Sequence, residues 1–215
     1  MNRVRGAGRF KMLTLLLLAV LPQMAGAELQ MGRDYGRVDP PQRTNDPARI
    51  EVIEFFSYAC PHCNELQPII SKWVAALPKD VEFIRVPVEF GRPEWGALAK
   101  TYYALQFSGD IGRLDGAIFR AIHEQHVSLT DERSIAAWLA TQNVDRKKFT
   151  GLYNSFSVVS KKAQADQMAM KYKVEGVPAI YIDGKYRLIA ANSRSYLDWP
   201  ALLNELVAKA RAEKH

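Results

Sequence analysis

Cysteine is nearly absent from this chain: there are two in 215 residues, Cys60 and Cys63, with Pro61 and His62 between them. A disulfide framework that holds a small secreted domain together needs several pairs, and two neighbouring residues do not supply one. Long hydrophobic runs are also missing. The longest, Met12 to Leu21, is about half of the roughly 20 residues that a membrane-spanning helix requires. Histidine is scarce at four. A zinc site of about four ligands would have to join Cys60, Cys63 and His62 to His123 and His126, about sixty residues away in a helical region.

An excess of one charge is missing too, once the N-terminus is set aside. Arg3, Arg5, Arg9 and Lys11 precede the apolar run, and Ala25-Gly26-Ala27 follows it. That order reads as a secretory signal peptide over residues 1–27, cleaved after Ala27 so that the mature chain starts at Glu28. Removal takes the formal charge from +6 to +2. The remaining 188 residues therefore carry no basic surplus that points to nucleic acid. They suffice for one domain with a sizeable core, or one domain carrying an insertion. Export places the chain where thiols can stay oxidised, and the short leader with its A-x-A site suggests the periplasm of a Gram-negative bacterium.

What is present reads as alternating strands and helices. Residues 28–48 are dense in Pro, Gly, Asp and Asn, an irregular lead-in with at most a short edge strand. RIEVIEFFSY, 49–58, is rich in Ile, Val and Phe and reads as a buried strand. After it, Leu66, Ile69, Ile70, Trp73, Val74 and Leu77 form one apolar helical stripe. Pro61 suits the first helical position, making Cys60 the N-cap, and Pro68 should kink the helix. A second strand is expected over 80–90. From 93 to about 160 the texture is helical, with a Thr130 cap before one helix. A helix over 159–174 then leads into strands at 179–182 and 186–189, joined through the Asp183-Gly184 hairpin signal, and a last helix runs from 196 to 212. The order matches an α/β, thioredoxin-like fold with an inserted all-helical subdomain. Its parts would be 28–92, the insertion 93–160, and 161–215.

Three readings compete for the cysteine pair. As a staple, a four-residue loop yields about 2 kcal/mol on the chain-entropy model, against roughly 4.7 for a hundred-residue loop. As half a metal site it lacks nearby ligands. As a redox centre it explains more, because the N–H groups and positive dipole end of a helix stabilise a Cys60 thiolate, and His62 can add positive charge. Cys63, one turn further in, would be the buried resolving thiol. Glu54 sits within an apolar strand six residues before Cys60, where a carboxylate is costly unless it is paired, protonated or turned to solvent. His123 and His126 read as solvated, Arg146-Lys147-Lys148 as a hydrated face. Met168, Met170 and Tyr172 either pack in the core or line a surface for apolar peptide.

EFFSYACPHC, followed about 115 residues later by GVPAIYIDGKY, resembles the DsbA-like thiol:disulfide oxidoreductases of the bacterial periplasm, members of the thioredoxin superfamily. The resemblance spans essentially the whole mature chain. It implies Cys60, Pro61, His62 and Cys63 as the catalytic quartet and Glu54 as a proton acceptor for the buried cysteine. It also implies that Pro178 is cis beside the pair, with Val177 offering backbone contacts to a bound peptide. From residue chemistry alone, Pro178 is equally an ordinary loop proline. The paired acidic residues often found in the family after the second cysteine are missing from Asn64-Glu65-Leu66-Gln67-Pro68.

The expected function is an oxidase that transfers its disulfide to reduced, newly exported proteins. It would act as a monomer without cofactor or metal, reoxidised by a DsbB-like membrane quinone reductase. A reductase or isomerase of the same superfamily is the nearest alternative. A non-catalytic periplasmic chaperone is the more distant one.

Overall fold

The computed structural model describes residues 1–2, 29–189 and 195–214. Residues 3–27 of the expected signal peptide, and its cleavage point, lie outside the described residues.

Five strands form one mixed sheet in the order β1-β5-β4-β2-β3: β1 (Tyr35–Arg37), β2 (Ile50–Phe56), β3 (Val81–Pro87), β4 (Ala179–Ile182) and β5 (Tyr186–Leu188). The interior strand β2 runs parallel to β3 and antiparallel to β4. All seven of its residues are buried, because helices cover both faces of the sheet. Ile50 and Val52 join a core with Leu66, Ile70 and Trp73 of α1 (Pro61–Ala75) and Leu203, Leu206 and Val207 of α7 (Trp199–Ala212). Ile53 and Phe55 face the opposite core, which receives the helical region. Each such side chain, fully buried, contributes roughly 1.5–3 kcal/mol of transfer free energy.

That region comprises α2 (Pro93–Ser108), α3 (Ile111–His123), α4 (Glu132–Thr141) and α5 (Arg146–Tyr153), followed by α6 (Phe156–Lys171). Two starts differ from the sequence expectation. The cap of α4 is Asp131 and not Thr130: its carboxylate accepts the Ser134 N–H at 2.7 Å, and the Ser134 hydroxyl faces the Asp131 N–H at 3.2 Å. This reciprocal pair satisfies two otherwise orphaned donors. Helix α6 begins at Phe156, three residues early, because the Ser155 hydroxyl caps Val158 N–H. The 160/161 division therefore falls inside a continuous helix.

The hairpin between β4 and β5 turns through Asp183 (φ 52°) and Gly184 (φ 64°), with Lys185 N–H donating to Ile182 C=O at 3.0 Å. Two successive positive φ angles match the right-handed twist of the flanking strands. The lead-in contributes β1, which pairs with β5 at the sheet edge.

Candidate active site

Cys60 lies just past the C-terminal end of β2 and is the N-cap of α1, with φ −87° and ψ 119°. Pro61 follows at the first helical position, where its missing N–H leaves no helical bond unmade. Pro61 and His62 are exposed, whereas Cys60 and Cys63 are buried, Cys63 completely. Both cysteines stand as free thiols. Across the sheet's end, the Val177–Pro178 peptide bond is cis, and the Val177 carbonyl accepts the Cys60 thiol at 3.4 Å.

The two sulfurs have opposite proton affinities. A hydrogen bond from the Cys63 thiol is the main cause that brings Cys60 down to about 6 against the opposing effect of burial. The N–H groups of Cys63 and His62 and the charge of His62 add to it. Burial pushes Cys63 far up, and its bond to Cys60, the Cys60 charge and that of Glu54 act in the same direction. His62 Nδ1 lies 3.6 Å from Glu65 Oε2 on the exposed side of α1.

Glu54 is wholly buried, so of the sequence alternatives the solvent-facing one does not hold. It sits opposite Arg85 in the parallel β2–β3 register, and Arg85 Nε donates to Glu54 Oε2 at 2.7 Å. Arg85 Nη1 donates to both oxygens of Asp115 on α3, each at 2.7 Å. The Tyr58 hydroxyl also donates to Asp115 Oδ1 at 2.7 Å. The guanidinium lies 3.8 Å from the centre of the Phe56 ring, a cation–π contact. Glu54 Oε1 and Arg85 Nη2 are buried with no hydrogen-bond partner. Burial raises the Glu54 carboxyl above its ordinary range, Arg85 offsets this in part, and Asp115 adds to the rise.

Sequence reasoning missed Arg85, Asp115 and Tyr58. One signal was available: VEFIRVPV places a lone cation in an apolar strand, as IEVIEFF places two anions, Glu51 and Glu54, in the previous one. His123 departs from the solvated reading: it is half-buried, its Nε2 lies 2.8 Å from the Tyr58 carbonyl, and it stacks on Phe119. Tyr172 is buried against Phe55 and Tyr181, while Met170 is exposed. Among the described residues, no group of three or more His, Cys, Asp or Glu is arranged to hold a metal ion.

A strand leading into a cysteine-capped helix, opposite a cis-proline loop, defines a thioredoxin-fold protein with a redox-type cysteine pair. Residues 51–197 match the family described as the DSBA-like thioredoxin domain. The chain belongs to that family. It is 38% identical over 204 residues to the thiol:disulfide interchange protein DsbA of Burkholderia cepacia, covering 94% of this chain and 96% of the relative. With the protein of the same name from Pseudomonas syringae pv. tomato, identity is 36% over 188 residues, 87% of each chain. The crystal structure of Pseudomonas aeruginosa DsbA superposes with a TM-score of 0.80 at 35% identity, covering 85% of this chain and 94% of that one. The oxidoreductase DsbA of Xylella fastidiosa gives 0.78 at 29% identity, covering 86% and 98%.

Proposed function

We propose that this thiol:disulfide oxidoreductase is a disulfide donor to newly exported proteins, with Cys60 as the sulfur attacked by substrate. The opposed proton affinities of Cys60 and Cys63 carry this reading. A substrate thiolate attacks Cys60 Sγ of the oxidised pair, forming a mixed disulfide and breaking the Cys60–Cys63 bond. Cys63 leaves with the electron pair and takes a proton, for which Glu54 is the buried source. A second substrate thiolate then attacks the substrate sulfur of the mixed disulfide and expels Cys60 as its stabilised thiolate. Two electrons have passed to the protein, and the substrate holds a disulfide. Stabilising the Cys60 thiolate favours the dithiol and makes the disulfide an oxidant.

Pro61 shapes the helix start, and His62 lends charge to the Cys60 thiolate. The Val177 carbonyl and Pro178 face the reacting sulfur from the other side, where an extended peptide would lie. Reoxidation would fall to a DsbB-like quinone-linked membrane protein. The working location is the periplasm, after removal of residues 1–27, and the mature enzyme is a monomer without a bound cofactor. The insertion spans 93–160, its last residues forming the start of α6, and the thioredoxin-like parts are 28–92 and 161–215.

The deciding experiment equilibrates the Cys60–Cys63 pair of the mature protein with a glutathione redox buffer and reads the thiols by alkylation. A potential well above that of thioredoxin supports the donor. One at or below it moves the enzyme to the reductase class. Mass spectrometry of the exported protein tests the N-terminus, expected at Glu28.

A further inference from the structure

Arg85 is one cation held between two carboxylates that come from different parts of the fold. Glu54, on the interior strand β2, receives one hydrogen bond from it through Oε2, and its Oε1 has none. Asp115, on α3 of the helical region, receives both bonds of Nη1 and a third from the Tyr58 hydroxyl. Asp115 is also the more exposed of the two, at 16% of its side chain against 0% for Glu54. An anion with three hydrogen bonds from two donor groups and some water is better solvated than one with a single hydrogen bond and no water. Of the two, Glu54 is therefore the group that more readily takes up a proton.

We propose that Asp115 is a positioning residue of the catalytic site: by holding Arg85 through Nη1 it withholds part of the cation's charge from Glu54, and so keeps Glu54 able to carry the proton that Cys63 gains and loses. This rests on the reading of Glu54 as the proton partner of Cys63. The ionisable groups that act on Glu54 are Arg85 on β3, Asp115 on α3, Tyr102 on α2 and Cys63 on α1, and Tyr58 after β2 joins them through its bond to Asp115. Arg85 alone among them is cationic, and β4 presents apolar Ile180 opposite Glu54. Removing the Asp115 charge leaves the whole guanidinium to Glu54, which then gives up its proton at lower pH.

Infrared titration of the reduced mature protein reads the Glu54 carboxylic-acid stretch directly, with Glu54→Gln assigning the band by its loss. In the unmodified protein the band should persist above the ordinary carboxylate range. Titration in that ordinary range would overturn the proposal without any variant. Asp115→Asn should lower the midpoint by about one pH unit or more, tenfold or more in proton affinity, while Asp115→Glu restores it. An unchanged or raised midpoint in Asp115→Asn overturns the proposal. The second readout is the pH profile of disulfide reduction by dithiothreitol, corrected for the thiolate fraction of the reductant. Asp115→Asn should move it to lower pH, and should have no effect when Glu54 is already Gln. A shift that survives in the Glu54→Gln background means that Asp115 acts on the thiols directly, which overturns the proposal. If the infrared midpoint falls but Glu54→Gln leaves the profile unaltered, the Asp115 effect on Glu54 stands and the proton role of Glu54 fails.

Discussion

The Val177 carbonyl oxygen and Cys60 Sγ are 117 residues apart in the chain and 3.4 Å apart in the fold. Once Cys60 is joined to another sulfur it has no S–H to donate, and the carbonyl becomes an open acceptor for a peptide N–H. The contact belongs to the main chain. Val177→Ala should therefore keep oxidation of a reduced protein substrate within about twofold of the parent, since every residue but proline offers the same backbone groups. A much larger loss in a refolding assay would assign the contact to the side chain.

The cysteine roles separate by their trapped species. Cys60→Ser should abolish dithiol oxidation completely. Cys63→Ser has no disulfide to donate, but its Cys60 thiolate should attack a disulfide-bonded protein, expel one of that protein's sulfurs as a thiolate, and accumulate the mixed disulfide, visible by mass spectrometry without reductant. Full activity of Cys60→Ser would end the assignment of the attacked sulfur.

Stability of the reduced protein should depend on pH in a way that the oxidised protein does not share. Cys60 titrates near 6 in the fold and near 8.5 when unfolded, so its contribution is fully present above about 8.5 and is lost as pH falls through about 6. Cys63 is raised, so its contribution is present below its unfolded value and declines at higher pH. Reduced minus oxidised stability, from denaturant titrations of each form, should thus rise between about pH 6 and 8.5 by up to about 3 kcal/mol, then fall. A flat difference would mean that the Cys60 thiolate is not stabilised by folding.

Arg85→Met should be among the most damaging single changes outside the cysteines. It leaves the buried Glu54 and the partly buried Asp115 without their shared cation, at a cost of about 3–5 kcal/mol by the precedent of broken buried pairs. The urea midpoint should fall accordingly. Adding Glu54→Gln to Arg85→Met should recover part of the loss, and strict additivity of the two would show that the pair is not coupled.

Gly184→Ala tests the hairpin. A Cβ at this position would stand 2.0 Å from the Gln42 carbonyl oxygen, on a backbone with φ 64°. The strain of the left-handed conformation alone costs about 1–3 kcal/mol, and the main-chain clash adds to it. A fall in Tm of several degrees is expected, and an unchanged Tm would mean that the lead-in is free to move aside.

Much of this architecture is legible along the chain because the signals are local. Pro61 after an apolar strand marks the start of α1, and Asp183-Gly184 marks the β4–β5 turn. The errors are local too. Thr130 and Asp131 are both competent caps, and only the geometry of Ser134 decides between them. The network beneath the cysteines was not legible in the same way. Glu54 and Arg85 are 31 residues apart, and Arg85 and Asp115 another 30. Their partnership depends on strand register and on where α3 comes to rest, and neither leaves a periodicity in the sequence. His123 shows the same limit, since its role is set by the Tyr58 carbonyl 65 residues away.

The Arg85 bridge also constrains how this fold can be recombined. A chimera that exchanges α2–α5 for the helices of a relative while retaining this sheet must bring a carboxylate to position 115. Without one, the graft arrives with its surfaces matched and a guanidinium half unanswered, and the cysteine chemistry above it changes although no residue near the sulfurs has been touched.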